Sequence, residues 1–530
     1  MIAEIVQFLI AMGLALVLAY AIGLYSALLI QNQPRPFERT LSRIEGVLFR
    51  IMGVDKNAPM TWKQYLTAMI LTNALIFGLV YGLLALQAFS PDLAFHTASS
   101  FATNTNLQHY AGDSPTNPLT LLSQLGLLAA MFIAPGTAFA VCYAFLRCFH
   151  YTNRNVGNFY VDLTRVILNI LLPVAIVGGI LLTASGVPQT LSMNLATGSL
   201  GGGPQTVYIG PVGAWESIKD FGNNGGGFLG ANSAHPFENP NGITNLIEII
   251  LMLSGGLSFP FAYGELFGRG KGRALVIAIL APWLVLFGFA LLSTNGPSGL
   301  ETRFGSFGSM FFQQSSIFSN TGATNALLGG IAKKGTVSLF VGMFIQAIPG
   351  GEGVGFMTLV INVILTIFIV GLMVGKTPEL LGYKIQPLEV KLAVITFLMH
   401  PLMILVPSAI AFGTGQVQAI LGPHVTPFGY TQVLYEFTSA SANNGSDFLG
   451  TLANTPFWNA STGLVMLIGR YVPIALMLAI AGQFASKDRR VAPEPINTEG
   501  VPFILTLVGV TLLLTALAFL PFLVIGPFVM

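Results

Sequence analysis

Four short runs of small, neutral polar residues stand out in a 530-residue chain that is 53% hydrophobic and only 8% charged. They are Thr103-Asn104-Thr105-Asn106, Asn223-Asn224-Gly225-Gly226, Asn320-Thr321-Gly322-Ala323 and Asn443-Asn444-Gly445-Ser446. None of the sixteen side chains is charged, and none is β-branched beyond threonine. Residues of this kind offer mainly backbone. The third position is glycine in three of the four runs, and glycine permits backbone angles that turn successive carbonyls to one side. Rings of such carbonyls can replace the hydration shell of a cation. The chemistry on offer is cation binding by main-chain oxygens.

Carbonyls can act this way only if something holds them in a low-dielectric setting. Ten long apolar stretches supply it, at 4–30, 64–89, 119–147, 163–186, 243–267, 274–293, 336–374 (interrupted), 392–413, 462–484 and 502–526. Crossing about 30 Å of hydrocarbon takes roughly 20 apolar residues, so the chain reads as an all-α polytopic membrane protein. The N-terminal "MIAEIVQFLI" has no basic leader or small-residue cleavage site and reads as an uncleaved helix. Cys142 and Cys148, six residues apart, suit neither a disulfide nor a metal and read as core or lipid-facing residues.

Each polar run follows a short helix-like stretch and lies between two spans. A helix of about 11 residues is roughly 16 Å long, half a bilayer core, so it enters and must turn back. Irregular backbone at that depth is tolerated only when buried in protein or lining a wet cavity. Four such turns around one axis would bury one another and aim their negative helix C-termini at a common pore. Pro91 and Pro211 suit the first turns of two of these half-helices. The repeat of about 100–120 residues divides the chain into a first span with its loop (1–61), pore repeats at 62–150, 151–273, 274–391 and 392–486, and a closing segment with the last span (487–530). "GGG" at 201–203 reads as a flexible outer loop.

Eighteen of the 23 lysines and arginines fall in five alternate connections, at 35–63, 147–165, 268–273, 375–391 and 486–490. These are predicted to be cytoplasmic, with both termini outside. The net charge of +2 gives no indication of a nucleic-acid partner.

Other residues carry expectations of their own. "QAIPGGEGVG" places Pro349, Gly350, Gly351, Glu352, Gly353 and Gly355 inside the seventh span. Proline and glycine break helices, and broken helices at membrane depth mark ion pathways. A loop that obstructs passage beneath the polar runs is expected here. Arg470 sits within the ninth span, and an intramembrane charge is a functional candidate by default. Glu248 and Glu265 are expected to reach the membrane interface. Glu436 and Asp447 flank the fourth run, either concentrating cations or capping the outer mouth. His96, His109 and His235 have no metal-ligand spacing. "GLMVGKT" has only three residues between its glycines and is followed by Pro378, so it is no phosphate-binding loop. No Asp-Lys-Thr-Gly phosphorylation site is found. The chain is expected to bind no nucleotide and to be no enzyme on its own.

"FATNTNLQHYAGD", "NNGGGFLGANSAHPFENP", "NTGATNA" and "ANNGSDF" resemble the four filter signatures of the potassium-binding subunits of Kdp-type potassium-transporting ATPases. The likeness covers essentially the whole chain. Some members of that family carry a cysteine in the third signature, where this chain has Asn320-Thr321. The resemblance implies a fold like a potassium channel fused fourfold, with K+ held by the backbone carbonyls of the sixteen residues. It further implies a bacterial inner-membrane complex with a P-type ATPase catalytic subunit and two small membrane subunits (KdpB, KdpC and KdpF type), importing K+ at the expense of ATP. A stand-alone K+ channel, a cation symporter of the same superfamily, or a secondary transporter of small solutes are the alternatives.

Overall fold

A computed structural model describes residues 2–151, 156–198, 201–292, 300, 302–489 and 496–520. The chain begins with α1 (Ile2–Gln31) and a short helix α2 (Glu38–Met52), then α3 (Trp62–Leu86), α4 (Pro91–Ala102) and α5 (Leu121–His150). The next span consists of α6 (Phe159–Val166) and α7 (Leu172–Ala184), joined by a π turn at Ile167–Leu171. A hairpin of β1 (Asn194–Gly198) and β2 (Pro204–Tyr208) leads to α8 (Val212–Phe221) and α9 (Gly242–Phe267). The third group holds α10 (Arg269–Leu291), α11 (Gly305–Phe318), α12 (Lys333–Ile345) and α13 (Val354–Val374). A small hairpin, β3 (Glu379–Leu380) and β4 (Tyr383–Lys384), precedes α14 (Pro387–Gly413), α15 (Gln416–Leu421), α16 (Pro427–Ala442) and α17 (Pro456–Ala485). The final helix is α18 (Val501–Ala518).

Among the described residues, ten helices or joined helices are long and apolar enough to cross a membrane. Each overlaps one of the ten predicted spans, the seventh with only its second half, so the chain is an all-α polytopic membrane protein. The end predicted for the last span, and Arg490 of the last basic loop, lie outside the described residues. The four short helices α4, α8, α11 and α16 have 12, 10, 14 and 16 residues, about 15–24 Å at 1.5 Å per residue.

Local chemistry explains the boundaries. Thr61 and Gln64 form a capping box on α3, as Asn241 and Thr244 do on α9, and each box satisfies two orphan N–H groups. Proline occupies the first turn of α4, α14, α16, α17 and α18, where no intrahelical donor is lost. Pro211 instead sits at the N-cap of α8. The basic segment 268–273 is helical rather than a loop. Gly268 alone (φ +121°) separates α9 from α10, and the two helices approach so closely that a Cβ on Gly272 would sit 2.6 Å from the Gly264 Cα. The "GGG" at 201–203, read as an outer loop, leads into β2.

Packing is tightest where side chains are small. Ala11, Ala15, Ala19, Gly23 and Ala27 recur every fourth residue on the buried face of α1, which packs along α9. A Cβ on Gly23 would reach within 2.7 Å of the Phe261 Cβ. Such stripes let backbones approach without help from a hydrophobic effect that lipid cannot provide. Where α5 ends, Arg147 donates to both carboxylate oxygens of Asp162 at 2.9 Å and to the Val156 carbonyl at 2.7 Å. The Tyr65 hydroxyl bridges Asp162 Oδ2 (3.0 Å) and the Ala140 carbonyl (2.6 Å). Arg147 and Asp162 are both buried. Removing one member of such a pair strands the other, so Asp162→Ala is expected to cost about 3–5 kcal/mol. Thermal unfolding of the detergent-solubilised protein measures this, and an unchanged midpoint would show the cluster to be dispensable.

Candidate functional site

All four half-helices end in the same way. Asn104, Asn223, Asn320 and Asn443 lie in the left-handed region, with φ of 64°, 44°, 52° and 52°. The next residue's N–H returns to the carbonyl five residues back: Thr105 to Ser100 (2.9 Å), Asn224 to Lys219 (2.8 Å), Thr321 to Ser316 (2.8 Å) and Asn444 to Ser439 (2.9 Å). This is a Schellman closure, with asparagine where glycine is usual. It fixes the register of the four runs. The second, third and fourth runs align as read from the sequence. The first is shifted by one residue, so that Asn104-Thr105-Asn106-Leu107 is equivalent to Asn223-Asn224-Gly225-Gly226.

Three further observations agree with the shift. Asn106 (φ 52°) takes the left-handed place that Gly225, Gly322 and Gly445 hold in the other runs (φ 83°, 81° and 101°). Ser100 Oγ donates to the Leu107 carbonyl as Ser316 Oγ does to Ala323. Thr103 pairs with the hydroxyl two residues on, 2.7 Å from Thr105, as Ser319 does with Thr321. Thr103 is therefore a helix cap, equivalent to Ser319. An alternating Thr-Asn-Thr-Asn matches the other runs in either register, and only the backbone angles separate the two.

The runs close on one another. Asn104 Nδ2 donates to the Gly222 and Asn223 carbonyls at 2.9 and 3.0 Å, linking the first run to the second. Asn223 Nδ2 donates to Thr321 Oγ1 at 2.7 Å, linking second to third. Asn444 Nδ2 reaches the Ile317 carbonyl at 2.9 Å, linking fourth to third. Asn443 Nδ2 donates to Thr105 Oγ1 at 2.9 Å, linking fourth to first. The glycines trace the same circuit. A Cβ on Gly225 would overlap the Thr321 carbonyl oxygen, one on Gly322 that of Asn444, and one on Gly445 that of Thr105. Neither the φ nor the space at these three positions admits a side chain.

The carbonyl oxygens of the runs differ in what they meet. Those of Gly225, Gly226, Leu107 and Ala323 accept hydrogen bonds from Asn232, Trp215, Ser100 and Ser316 behind them. Most of the others accept none from any described residue, and the second place, held by Thr105, Asn224, Thr321 and Asn444, is the one at which this is so in all four runs. All four residues are wholly buried. A buried acceptor left unpaired costs about 1–3 kcal/mol, and four at equivalent positions form a set with a common requirement for a positive partner.

Beneath the ring the seventh span is broken, as its sequence suggests. The segment 346–353 separates α12 from α13, with a cis peptide before Pro349. Gly350 N–H donates to the Phe318 carbonyl at the end of half-helix α11 (2.9 Å). Gly350 and Gly353 have positive φ, and a Cβ on Gly353 would overlap the Ala138 carbonyl. Gly351 lies against Asn320, and Gly355 against Gly350. Glu352 is 1% exposed, and neither carboxylate oxygen has a described hydrogen-bond partner. Arg470 is buried at mid-helix and within the field of Glu352, but the two make no direct ion pair. Nearby is a cavity of about 30 Å³ whose lining includes Gln346, Asn362, His400 and Ser441. His400 Nδ1 faces Ser441 Oγ and Gln346 Nε2, while its Nε2 donates to the Met343 carbonyl. Spacing alone could not single out these residues, which come from α13, α14, α16 and the 346–353 segment.

Several charged residues lie elsewhere than expected. Glu248 is wholly buried rather than interfacial, because α9 packs its N-terminal half over α8. There its carboxylate, Glu216 and Asp220 bring oxygens within 4.8 Å of one another. Lys219 stands close by, paired with Glu216 (2.5 Å) and Glu238 (3.0 Å). Glu265 pairs with Arg269 at the helix end. Glu436 is buried against His109 at 3.1 Å, and Asp447 Oδ1 caps the N–H groups of Leu449 and Gly450. His109, Glu436 and Asp447 thus converge from the segments flanking the first and fourth runs, and His96 stacks on His109. His235 accepts from the Phe237 N–H. Cys142 and Cys148 are buried free thiols.

Asn443 combines the two features that close the ring. Asn443→Gly keeps the left-handed backbone and deletes the amide's bonds to Thr105 and Met466, an expected loss of about 1–3 kcal/mol. Asn443→Ala adds about 1–2 kcal/mol of backbone strain. Thermal midpoints should fall in the order parent, glycine, alanine; an alanine variant equal to the glycine variant would remove the backbone argument.

Comparison with known proteins places the chain in a family. Residues 9–530 match the family described as potassium-transporting ATPase A subunit. The potassium-transporting ATPase potassium-binding subunit of Geobacillus kaustophilus (strain HTA426) is 40% identical over 554 aligned residues, covering 98% of each chain. Ten spans, four half-helices and a match over nearly the full length lead to one conclusion: the chain belongs to the potassium-transporting ATPase A subunit family.

Proposed function

We propose that the ring formed by the four runs is a potassium filter, and that this chain binds K+ from outside the cell and passes it to a P-type ATPase partner. The observation that carries this reading is the set of four buried carbonyl oxygens at Thr105, Asn224, Thr321 and Asn444, at equivalent places, that accept no hydrogen bond from any described residue. Neutral carbonyl dipoles suit a weakly hydrated monovalent ion, which must also be released. The negative ends of four half-helix dipoles favour a cation at the same place. The relative's printed name, a potassium-binding subunit, supports K+ as the ion.

In this reading the chain carries no ATP chemistry. The catalytic P-type ATPase subunit and two small membrane subunits complete a translocase in the cell membrane. The basic connections face the cytoplasm and both termini face outward. The four units at 62–150, 151–273, 274–391 and 392–486 each contribute one run, with one further span at either end. The loop Pro349–Gly355 obstructs the path below the filter. Glu352 offers a carboxylate to an ion leaving the ring, and Arg470 opposes leakage of further cations. The pinning of Gly350 to Phe318 favours this coupled transporter over a stand-alone channel.

Gly225→Asp would force a carboxylate against the Thr321 carbonyl. It is expected to raise the K+ concentration for half-maximal uptake by more than about a hundredfold (roughly 2.7 kcal/mol at 1.36 kcal/mol per decade) while leaving membrane insertion intact. Uptake at the parent's affinity would count against the filter. Deleting residues within Pro349–Gly355 should increase passive K+ flux in vesicles lacking ATP; flux equal to the parent's would rule out the loop as the barrier.

A further inference from the structure

The helix α2 takes no part in the ring, yet its surface is sharply divided. Of the exposed apolar residues Phe37, Ile44, Val47 and Ile51, Phe37 is the N-cap and the other three fall within one arc at 100° per residue. The four are 81%, 45%, 54% and 76% exposed. Arg39, Arg43 and Arg50 border that arc on one side, all exposed, and none forms an ion pair with a described acid. On the other side Glu45 and Phe49 are buried. Glu45 is held by Arg35 (2.5 Å), Arg165 (3.4 Å) and Asn169 (3.2 Å), which fixes how the helix is rolled. The apolar arc therefore points away from the protein.

Its tethers set its depth. The helix begins seven residues after α1 ends at Gln31, and nine residues separate its end from α3, which starts at Trp62. Both neighbours are spans, and the chain leaves and re-enters the membrane at the same face. A helix tied this closely at both ends lies at headgroup level. An apolar face bordered by arginines is the pattern of helices that lie in a membrane interface, and basic clusters beside a span attract anionic headgroups.

We propose that α2 is a binding site for anionic phospholipid. Its apolar arc lies among the upper acyl chains, and Arg39, Arg43 and Arg50 hold phosphate-bearing headgroups. The charge complementarity and the fixed roll of the helix favour a lipid leaflet over a protein partner, and the proposal stands independently of the potassium reading.

The test uses the full-length chain in nanodiscs of phosphatidylcholine, alone or mixed with phosphatidylglycerol. The two native cysteines are buried, so a nitroxide can be placed at Ile51→Cys or at Gly46→Cys, where an added Cβ meets nothing within 4 Å. The label at 51 should be reached by oxygen and shielded from a water-soluble nickel chelate, and the label at 46 should show the reverse. Replacing all three arginines by glutamine should lower phosphatidylglycerol retention, measured by native mass spectrometry, by roughly fivefold for each arginine removed. Equal nickel access at both sites would overturn the proposal. So would an immobile label at 51 shielded from both reagents, which would mean a protein covers the arc. Unchanged lipid retention in the triple variant would overturn the role of the arginines.

Discussion

A polypeptide that turns back halfway through a membrane must satisfy its backbone without water, and this chain does so with asparagine. Each half-helix ends on an asparagine in the left-handed region. Glycine would adopt that angle more easily but has no amide. Three of these four asparagines, Asn104, Asn223 and Asn443, use that amide to donate to the neighbouring run, and the fourth, Asn320, accepts there from Asn444. One residue type thus ends the helix, turns the chain and joins it to the next unit. Loss of any one link would leave buried donors and acceptors unpaired in a medium that cannot replace them.

The remaining choices follow from this closure. Once the runs are linked side by side, three of the third-place residues sit with their α-carbons against the neighbour's carbonyl oxygen, and only glycine fits there. Asn106 takes the fourth such place with a strained but tolerated φ. The second-place residues alternate, threonine in the first and third runs and asparagine in the second and fourth. The threonine hydroxyls are the acceptors for Asn443 and Asn223. Fourfold backbone geometry is therefore built from a twofold pattern of side chains, as a single chain with four unlike copies allows.

Periodicity and composition were enough to find the spans, because a run of apolar residues long enough to cross a membrane has few other uses. The half-helices could be read for a related reason: each is too short to cross and too apolar to be an ordinary loop. The register of the first run could not be read. Thr103 and Thr105 are the same residue type, and the angle at Asn104 leaves no mark in the sequence. The burial of Glu248 was also hidden, because it depends on how α9 lies over α8. Convergences such as His109 with Glu436, 327 positions apart, are consequences of ring closure and have no local signal.

The same rigidity bears on where control of an ion could reside. The four runs are locked to one another through buried amides, hydroxyls and carbonyls, so widening the ring would break several bonds together. Close-packed, mutually linked groups switch between discrete arrangements and do not deform gradually. The segment below differs. It spans a helix break, has four glycines from Gly350 to Gly355, and holds a buried carboxylate with no hydrogen-bond partner among the described residues. Glycine-rich backbone at a break can change its angles at little steric cost, and an unpaired buried carboxylate gains from any rearrangement that brings it a cation or a donor. On the proposed reading, the ring recognises the ion and stays fixed, while movement on the route to the partner falls to the loop around Glu352.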